Sequence, residues 1–481
     1  LKRCRGAPTA LGSPRRVRCR ARSRVAGEDM KVVRDSKFRH VFGEASKQRY
    51  EDLRLSSKAT ESIGIRGNSK FFSFPYESGG GGALAVVPMS KVGRLPRDLP
   101  LITGHSGPIL DFEFNPFDDN SILSCSEDTT IKLWNIPDEG LTKAMREPVV
   151  TLEGHSKKIS FVTYNPVAAN IAASASFDGT IRTWNIGEQD EIFKVDSVDQ
   201  VNHLKWNYNG SLLAATCKDK KLRIFDPRTS AAVGGCKIHD GAKASKVEWL
   251  GGTGAGDENY KLITTGFSTQ AERQMAVWDT RMFKSGDDEE AQSLNLIVLD
   301  QGTGALYPFF DPGCNMFYIV GKGDANVRYF EVVKEDPYLH YIEQFGTTVP
   351  QKGFCFLPKR CVDTSIHEVM KGLKLESSAV QPISFKVPRK SDLFQEDLYP
   401  DCIAVVPAMA ADSWAGGAKA KEPIMRSMAP GADGPAQTGA SAATAIVSVK
   451  DLKKELADAK LRIEVLEKEN ATLKAELQAK G

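Results

Sequence analysis

The chain has 481 residues, of which 26% are charged and 41% hydrophobic, with nine cysteines and a formal net charge of +3. No apolar run approaches the ~18–20 residues that cross a bilayer as a helix. The cysteines form no CxxC pair and have no histidines at zinc spacing, so they read as reduced thiols of a cytosolic protein rather than a disulfide or metal framework.

Residues 1–29 carry nine basic side chains against Glu28 and Asp29, and the first methionine is Met30. Without this leader the balance is 55 basic to 59 acidic residues, which removes the bulk-charge case for nucleic-acid binding. An Arg-rich transit peptide, a nucleic-acid arm and conceptual translation upstream of the true start all fit the leader. The lack of methionine and of apolar periodicity favours the last of these.

Further along, "KFFSFPY" and "ALAVVPM" (70–89) read as paired strands. The glycines between them, "SGGGG", have no lysine, and the later "GKGDAN" lacks the GK[ST] ending, so neither is a phosphate loop. Two segments then align with each other, "GHSGPILDFEFNPFDDNSILSCSEDTTIKLWNI" from Gly104 and "GHSKKISFVTYNPVAANIAASASFDGTIRTWNI" from Gly154. Each places His and Asp 23 residues apart (His105 and Asp128; His155 and Asp178), with Trp six further on (Trp134; Trp184). This is the spacing of a WD repeat, a four-stranded propeller blade. Weaker copies follow around Asp219–Phe225, Trp278–Asp279 and Asp324–Phe330. A blade buries its faces only against neighbours, so the expected fold is all-β, a closed ring of seven blades. The "KFFSFPY" hairpin is then a degenerate first blade and residues 338–387 the last. His105, Asp128, Trp134, His155, Asp178 and Trp184 read as structural groups satisfying one another's hydrogen bonds, not as catalytic ones. No Ser-His-Asp order, HExxH or paired-carboxylate signature stands out, so neither an enzyme nor a cofactor is expected.

Several strings outside the repeat positions, "SKFRHVFGE" (36–44), "YEDLRLS" (50–56), "PFFDPGCNMFYIVGKGDANVRYFE" (308–331), "GFCFLPKRCVD" (353–363) and "PISFKVPRKSDLFQEDLYPDC" (382–402), resemble the coronin family of actin-binding proteins. The resemblance covers about Met30 to Cys402 and continues in kind through the tail. It implies a seven-bladed propeller at 30–402, whose C-terminal extension (382–402) packs back on the ring. It also implies binding to filamentous actin in the cytoplasm, at the cytoskeleton and cell cortex. In that family an arginine of the "YED[IL]R" segment is implicated in filament binding, and Arg54 occupies its place, with Lys37 and Arg39 as weaker candidates. Residues 403–446 are rich in Ala, Gly, Pro and Ser, and read as a flexible linker. The linker is near neutral where animal-type members are acidic, which places binding to the branched-filament nucleating complex in doubt. The alternative is a WD-repeat adaptor of another complex without actin binding.

From Val449 the apolar spacing of 3 and 4 continues to Leu477. It places Val449, Leu456, Ile463, Asn470 and Leu477 at heptad position a, and Leu452, Ala459, Leu466 and Leu473 at d. A coiled coil at 447–481 follows. Pairs such as Glu455–Lys460, Arg462–Glu467 and Glu469–Lys474 favour a parallel, in-register assembly of this chain with itself. Copy number stays open. A lone Asn470 among β-branched a residues favours a dimer, whereas "RIEVLE" (462–467) matches a pattern of trimeric coils, and trimers are familiar among coronins.

Overall fold

The computed structural model describes residues 24–25, residues 36–431 apart from 59, 198, 253–257, 285 and 289–290, and a few positions between 460 and 466. The expected leader, apart from Arg24–Val25, and most of the expected coiled coil lie outside the described residues.

Seven small antiparallel sheets stand around a central channel. Blade 1 is built from Arg66–Gly67, Phe71–Tyr76, Gly82–Pro88 and Leu101–His105. Blade 2 uses Ile109–Asn115, Asp118–Ser126, Ile131–Asn135 and Val150–Leu152, and blade 3 uses Ile159–Tyr164, Ile171–Ser176, Thr180–Asn185 and Asp190–Asp196. Blade 4 runs through Val201–Trp206, Leu213–Cys217, Lys221–Asp226 and Ala231–Lys237. In blade 5 the four strands are Lys246–Trp249, Lys261–Phe267, Arg273–Asp279 and Asn295–Asp300. Blade 6 comprises Leu306–Asp311, Met316–Gly321, Asn326–Val332 and Leu339–Gly346. The innermost strands of successive blades touch and line the channel.

Blade 7 takes Gly353–Phe356, Glu368–Leu375 and Ala379–Lys386 from the end of the domain and its outer strand, Phe42–Ala45, from the start. This corrects the expected last blade at 338–387. Leu339–Gly346 pairs with blade 6 instead, and the chain's two ends share one sheet. Local patterning identifies a strand but not the sheet it joins, which here is set by closure of the ring. Sharing a blade joins the two ends of the domain by a strand ladder, so the ring is closed by hydrogen bonds as well as by side-chain packing. Where the shared strand faces blade 6 the packing is close at Gly43, where a Cβ would sit 2.6 Å from the Phe345 ring.

The core is divided by interface, with apolar clusters between each pair of neighbouring blades. Phe71, Ile102, Phe112 and Trp134 fill the junction of blades 1 and 2, and Tyr50, Phe72, Leu373 and Val380 fill that of blades 7 and 1. Alternation along each strand sends successive side chains to opposite faces, so both faces of a blade feed a core.

The polypeptide beyond Lys386 differs from expectation. Ala379–Lys386 is a blade strand, so the packed extension begins after it, with Leu398 and Tyr399 buried between blades 6 and 7. The expected linker begins later than 403, because the chain stays on the ring as far as Met428. Cys402–Ile403 pairs with Met425–Arg426, and Met409 pairs alongside Ala168. Trp414, fully buried on the short helix Ala411–Ala415, packs on Phe193 and Trp206 and donates its indole N–H to the Gly210 carbonyl at 2.9 Å. A low average hydropathy hides two large apolar anchors, and these suffice because the propeller supplies the surface they bury against.

Candidate functional site

The repeat positions form hydrogen-bonded clusters at the seams between blades. His105 Nδ1 lies 2.9 Å from Asp128 Oδ2, its Nε2 lies 2.8 Å from Ser124 Oγ, and Trp134 donates to the same hydroxyl at 2.9 Å. The arrangement repeats at His155, Asp178, Ser174 and Trp184, with distances of 2.9, 2.8 and 2.8 Å. Burial would raise the Asp178 pKa, but hydrogen bonds from Thr180, His155 and the Ser156 amide hold it at about 2. Burial also pushes the His155 pKa down. The ring nitrogens are committed to these partners and the side chains are buried, an arrangement suited to joining blades.

A third cluster escaped the sequence reading. His239 Nε2 lies 2.9 Å from Thr264 Oγ1, and Trp278 donates to that hydroxyl at 2.8 Å. Gln274 Oε1, 3.4 Å from His239 Nδ1, stands four residues before Trp278, where the other clusters have Thr130 and Thr180, and Glu272 occupies the aspartate's place in the sequence. Burial drives the His239 pKa down to about 4. Trp278 was the visible signal, while Glu272 at the aspartate's place, Gln274 for the threonine and Thr264 for the serine masked the rest.

Arg54 lies on a short edge segment laid across the junction of blades 7 and 1. Tyr50–Glu51 pairs with Ala379–Val380 on one side and Gly93–Arg94 on the other. Leu53 N–H donates to Ser378 O at 3.0 Å, the Glu77 N–H donates to Arg54 O at 3.1 Å, and Ser56 N–H donates to Pro75 O at 3.0 Å. Tyr50 and Leu53 are buried, so the alternation leaves Arg54 exposed on a backbone fixed from both sides. Asp52 has φ +65°, in the left-handed region, and its carboxylate is engaged by Arg94. Glu51 is engaged by Arg49 at 2.6 Å. With both neighbouring acids committed, Arg54 makes no ion pair among the described residues.

Lys37 and Arg39 are elsewhere. They precede the Phe42–Ala45 strand, whose Phe42 end pairs with Lys386 and whose Ala45 end pairs with Ile383. Arg54 follows that strand, beside the 376–378 turn. The two groups therefore lie at opposite ends of blade 7, Arg54 on the face we call upper. Lys37 donates to the Asp397 carbonyl and stands 5.8 Å from the Phe38 ring centroid, both on the lower side.

The lower channel mouth holds a cavity of about 390 Å³, lined by Arg66, Glu113, Lys205 and Glu248 and bordered by Ile403 and Met425 of the extension. Its bases are largely engaged: Lys205 by Glu248 at 2.9 Å, Lys359 by Asp311 at 2.5 Å and Arg360 by Asp119 at 2.5 Å. Among the described residues there is no cluster of three or more His, Cys, Asp or Glu able to hold a metal ion, and no helix is long and apolar enough to cross a membrane. Of the expected coiled-coil residues, Arg462, Ile463 and Leu466 are described as helical, with Ile463 55% and Leu466 52% exposed. Leu452, Leu456, Glu467, Asn470, Leu473 and Leu477 lie outside the described residues.

Comparison with known proteins agrees with this architecture. Family models match at residues 31–94 ("Domain of unknown function (DUF1899)"), 98–135 ("WD domain, G-beta repeat"), 162–251 ("Anaphase-promoting complex subunit 4 WD40 domain") and 380–422 ("Type of WD40 repeat"). Coronin-A of Dictyostelium discoideum is 45% identical over 404 residues, covering 83% of this chain and 87% of that protein. The crystal structure of the WD40 domain from Toxoplasma gondii coronin superposes with a TM-score of 0.75 at 39% identity, covering 81% of this chain and 97% of that one. Identity at this level over most of both chains shows that the protein belongs to the coronin family.

Proposed function

We propose that the protein binds filamentous actin through the upper edge of blades 7 and 1, and that its C-terminal helix joins copies into a parallel dimer or trimer able to crosslink filaments. Coronin membership supports the general role, and Arg54 is the observation that carries the site. It is an exposed cation on a backbone fixed by hydrogen bonds to two blades, with its sequence neighbours Glu51 and Asp52 already paired. A partner with an acidic surface meets a pre-positioned charge at little ordering cost. The exposed apolar residues Ile463 and Leu466 support self-association, since a lone helix leaves that seam in water. Residence at the actin cytoskeleton follows from the same reading.

The test is co-sedimentation of the full chain with F-actin at physiological salt. Arg54→Asp should weaken pelleting several-fold while leaving the far-UV CD spectrum and melting curve unchanged. Equal pelleting of variant and parent removes Arg54 from the site. If the parent does not pellet, a WD-repeat adaptor of a different complex becomes the better reading.

A further inference from the structure

Beyond Arg54 the chain turns down into the upper end of the channel and closes it with residues 60–63. Ser62 Oγ donates to Asp111 Oδ1 at 2.7 Å, and Tyr307 donates to the Glu61 carbonyl at 3.0 Å. Lys246, whose side chain is fully buried, donates to Glu61 Oε2 and to the Asn202 carbonyl, both at 2.8 Å. Lys322 donates to the carbonyls of Thr60 and Ser62 at 3.2 and 3.3 Å. Carbonyls satisfy ammonium N–H groups but leave the positive charge uncompensated.

The surrounding acids do little to cancel it. Asp324, two residues from Lys322, pairs with Arg273 at 2.7 Å, and Asp300 pairs with Arg273 and Arg328 at 2.5 Å each. Glu376 pairs with Lys374 at 3.0 Å, and Asp111 faces Arg66 at 3.9 Å. Glu61 is the main carboxylate facing Lys246 and Lys322, with a smaller pull from Asp111 on Lys246. Burial pushes the Lys322 pKa down, and the charges of Lys246 and Lys352 push it further, against the pull of Glu61. Lys352 at the rim and Lys58, between Arg54 and the plug, are exposed and make no ion pair among the described residues. A rigid surplus of cations at a channel rim creates a positive field that attracts carboxylates.

Resting on the filament-binding reading above, we propose that the contact surface extends from Arg54 across the channel mouth. Lys58 and Lys352 contact carboxylates of the acidic filament surface, and Lys246 and Lys322 supply the field beneath them. Lys58→Glu, Lys352→Glu and the double variant, all in the full chain, test this by F-actin co-sedimentation across a salt series, with Arg54→Asp measured on the same filaments. Both positions are exposed, so the fold is expected to survive, and CD melting checks it. Each single variant should weaken binding about three-fold and the pair about ten-fold, with a shallower salt dependence than the parent. A double variant that pellets like the parent while Arg54→Asp is impaired overturns the inference and leaves the filament reading standing. If Arg54→Asp and the double variant both match the parent, the filament site itself lies elsewhere.

Discussion

A neutral imidazole held between Thr264 and Gln274 makes stability depend on pH at a single residue. In the unfolded chain His239 takes a proton near pH 6.5, whereas in the folded blade it does so only near 4, because burial disfavours the cation. The unfolded state therefore binds more protons in that window. The stabilising share of His239 is complete above pH 6.5, shrinks as the pH falls, and is gone below about 4. At pH 5 the loss is on the order of 2 kcal/mol. Urea unfolding of the parent at pH 7 and pH 5 should show this drop, and His239→Gln should flatten the difference between the two pH values. A variant with the parent's pH dependence assigns the loss to other groups. At the same scale, the clusters at His105 and His155 were legible because every member keeps the common residue type. The His239 cluster was not, because its residue types change: Thr264 for the serine, Gln274 for the threonine, and Glu272 at the aspartate's place.

Among elements, the extension after Lys386 departs most from its composition. Ala, Gly, Pro and Ser dominate residues 403–431, yet Trp414 is fully buried between blades 3 and 4, with the Arg228 guanidinium 5.9 Å from its ring. Periodicity finds amphipathic elements, and this segment has none. It lies down because isolated large side chains find slots in a preformed wall. Trp414→Ala should cost about 3 kcal/mol of docking free energy. The amides of Ala408, Met409 and Gly416, now hydrogen-bonded to Val167 O and Asp412 O, should exchange much faster while the blade amides keep their protection. Unchanged exchange there would show that Met409 and the 402–426 pairing suffice. By contrast, the repeat strands were legible because hydrophobic alternation and turn residues coincide at each blade. The outer strand of the last blade was not, since its partner lies more than 300 residues away.

At the scale of the whole molecule, the self-association proposed above would turn a weak contact into a stable one. Linking modules that engage neighbouring sites raises avidity by ~10²–10⁴ without new contacts. Asn470, at an a position of the heptad pattern, is expected to act as a register pin, costing some stability to align parallel helices. Asn470→Leu should keep or raise the thermal stability of the assembly but mix its copy number, read by sedimentation equilibrium and crosslinking of the full chain. A variant that remains one species in one register shows that the asparagine was only tolerated.

The shared blade also sets a timetable for synthesis. Phe42–Ala45 leaves the ribosome long before its partner strand, Ala379–Lys386, has been made. At 5–20 residues per second the wait is on the order of half a minute. Throughout that interval the nascent chain has an open strand edge at each end of a growing arc. Such edges are templates for wrong pairing. Latching the two ends together is thus necessarily a late event, dependent on release of the last blade, and the interval before it is when the polypeptide most needs shielding by chaperones.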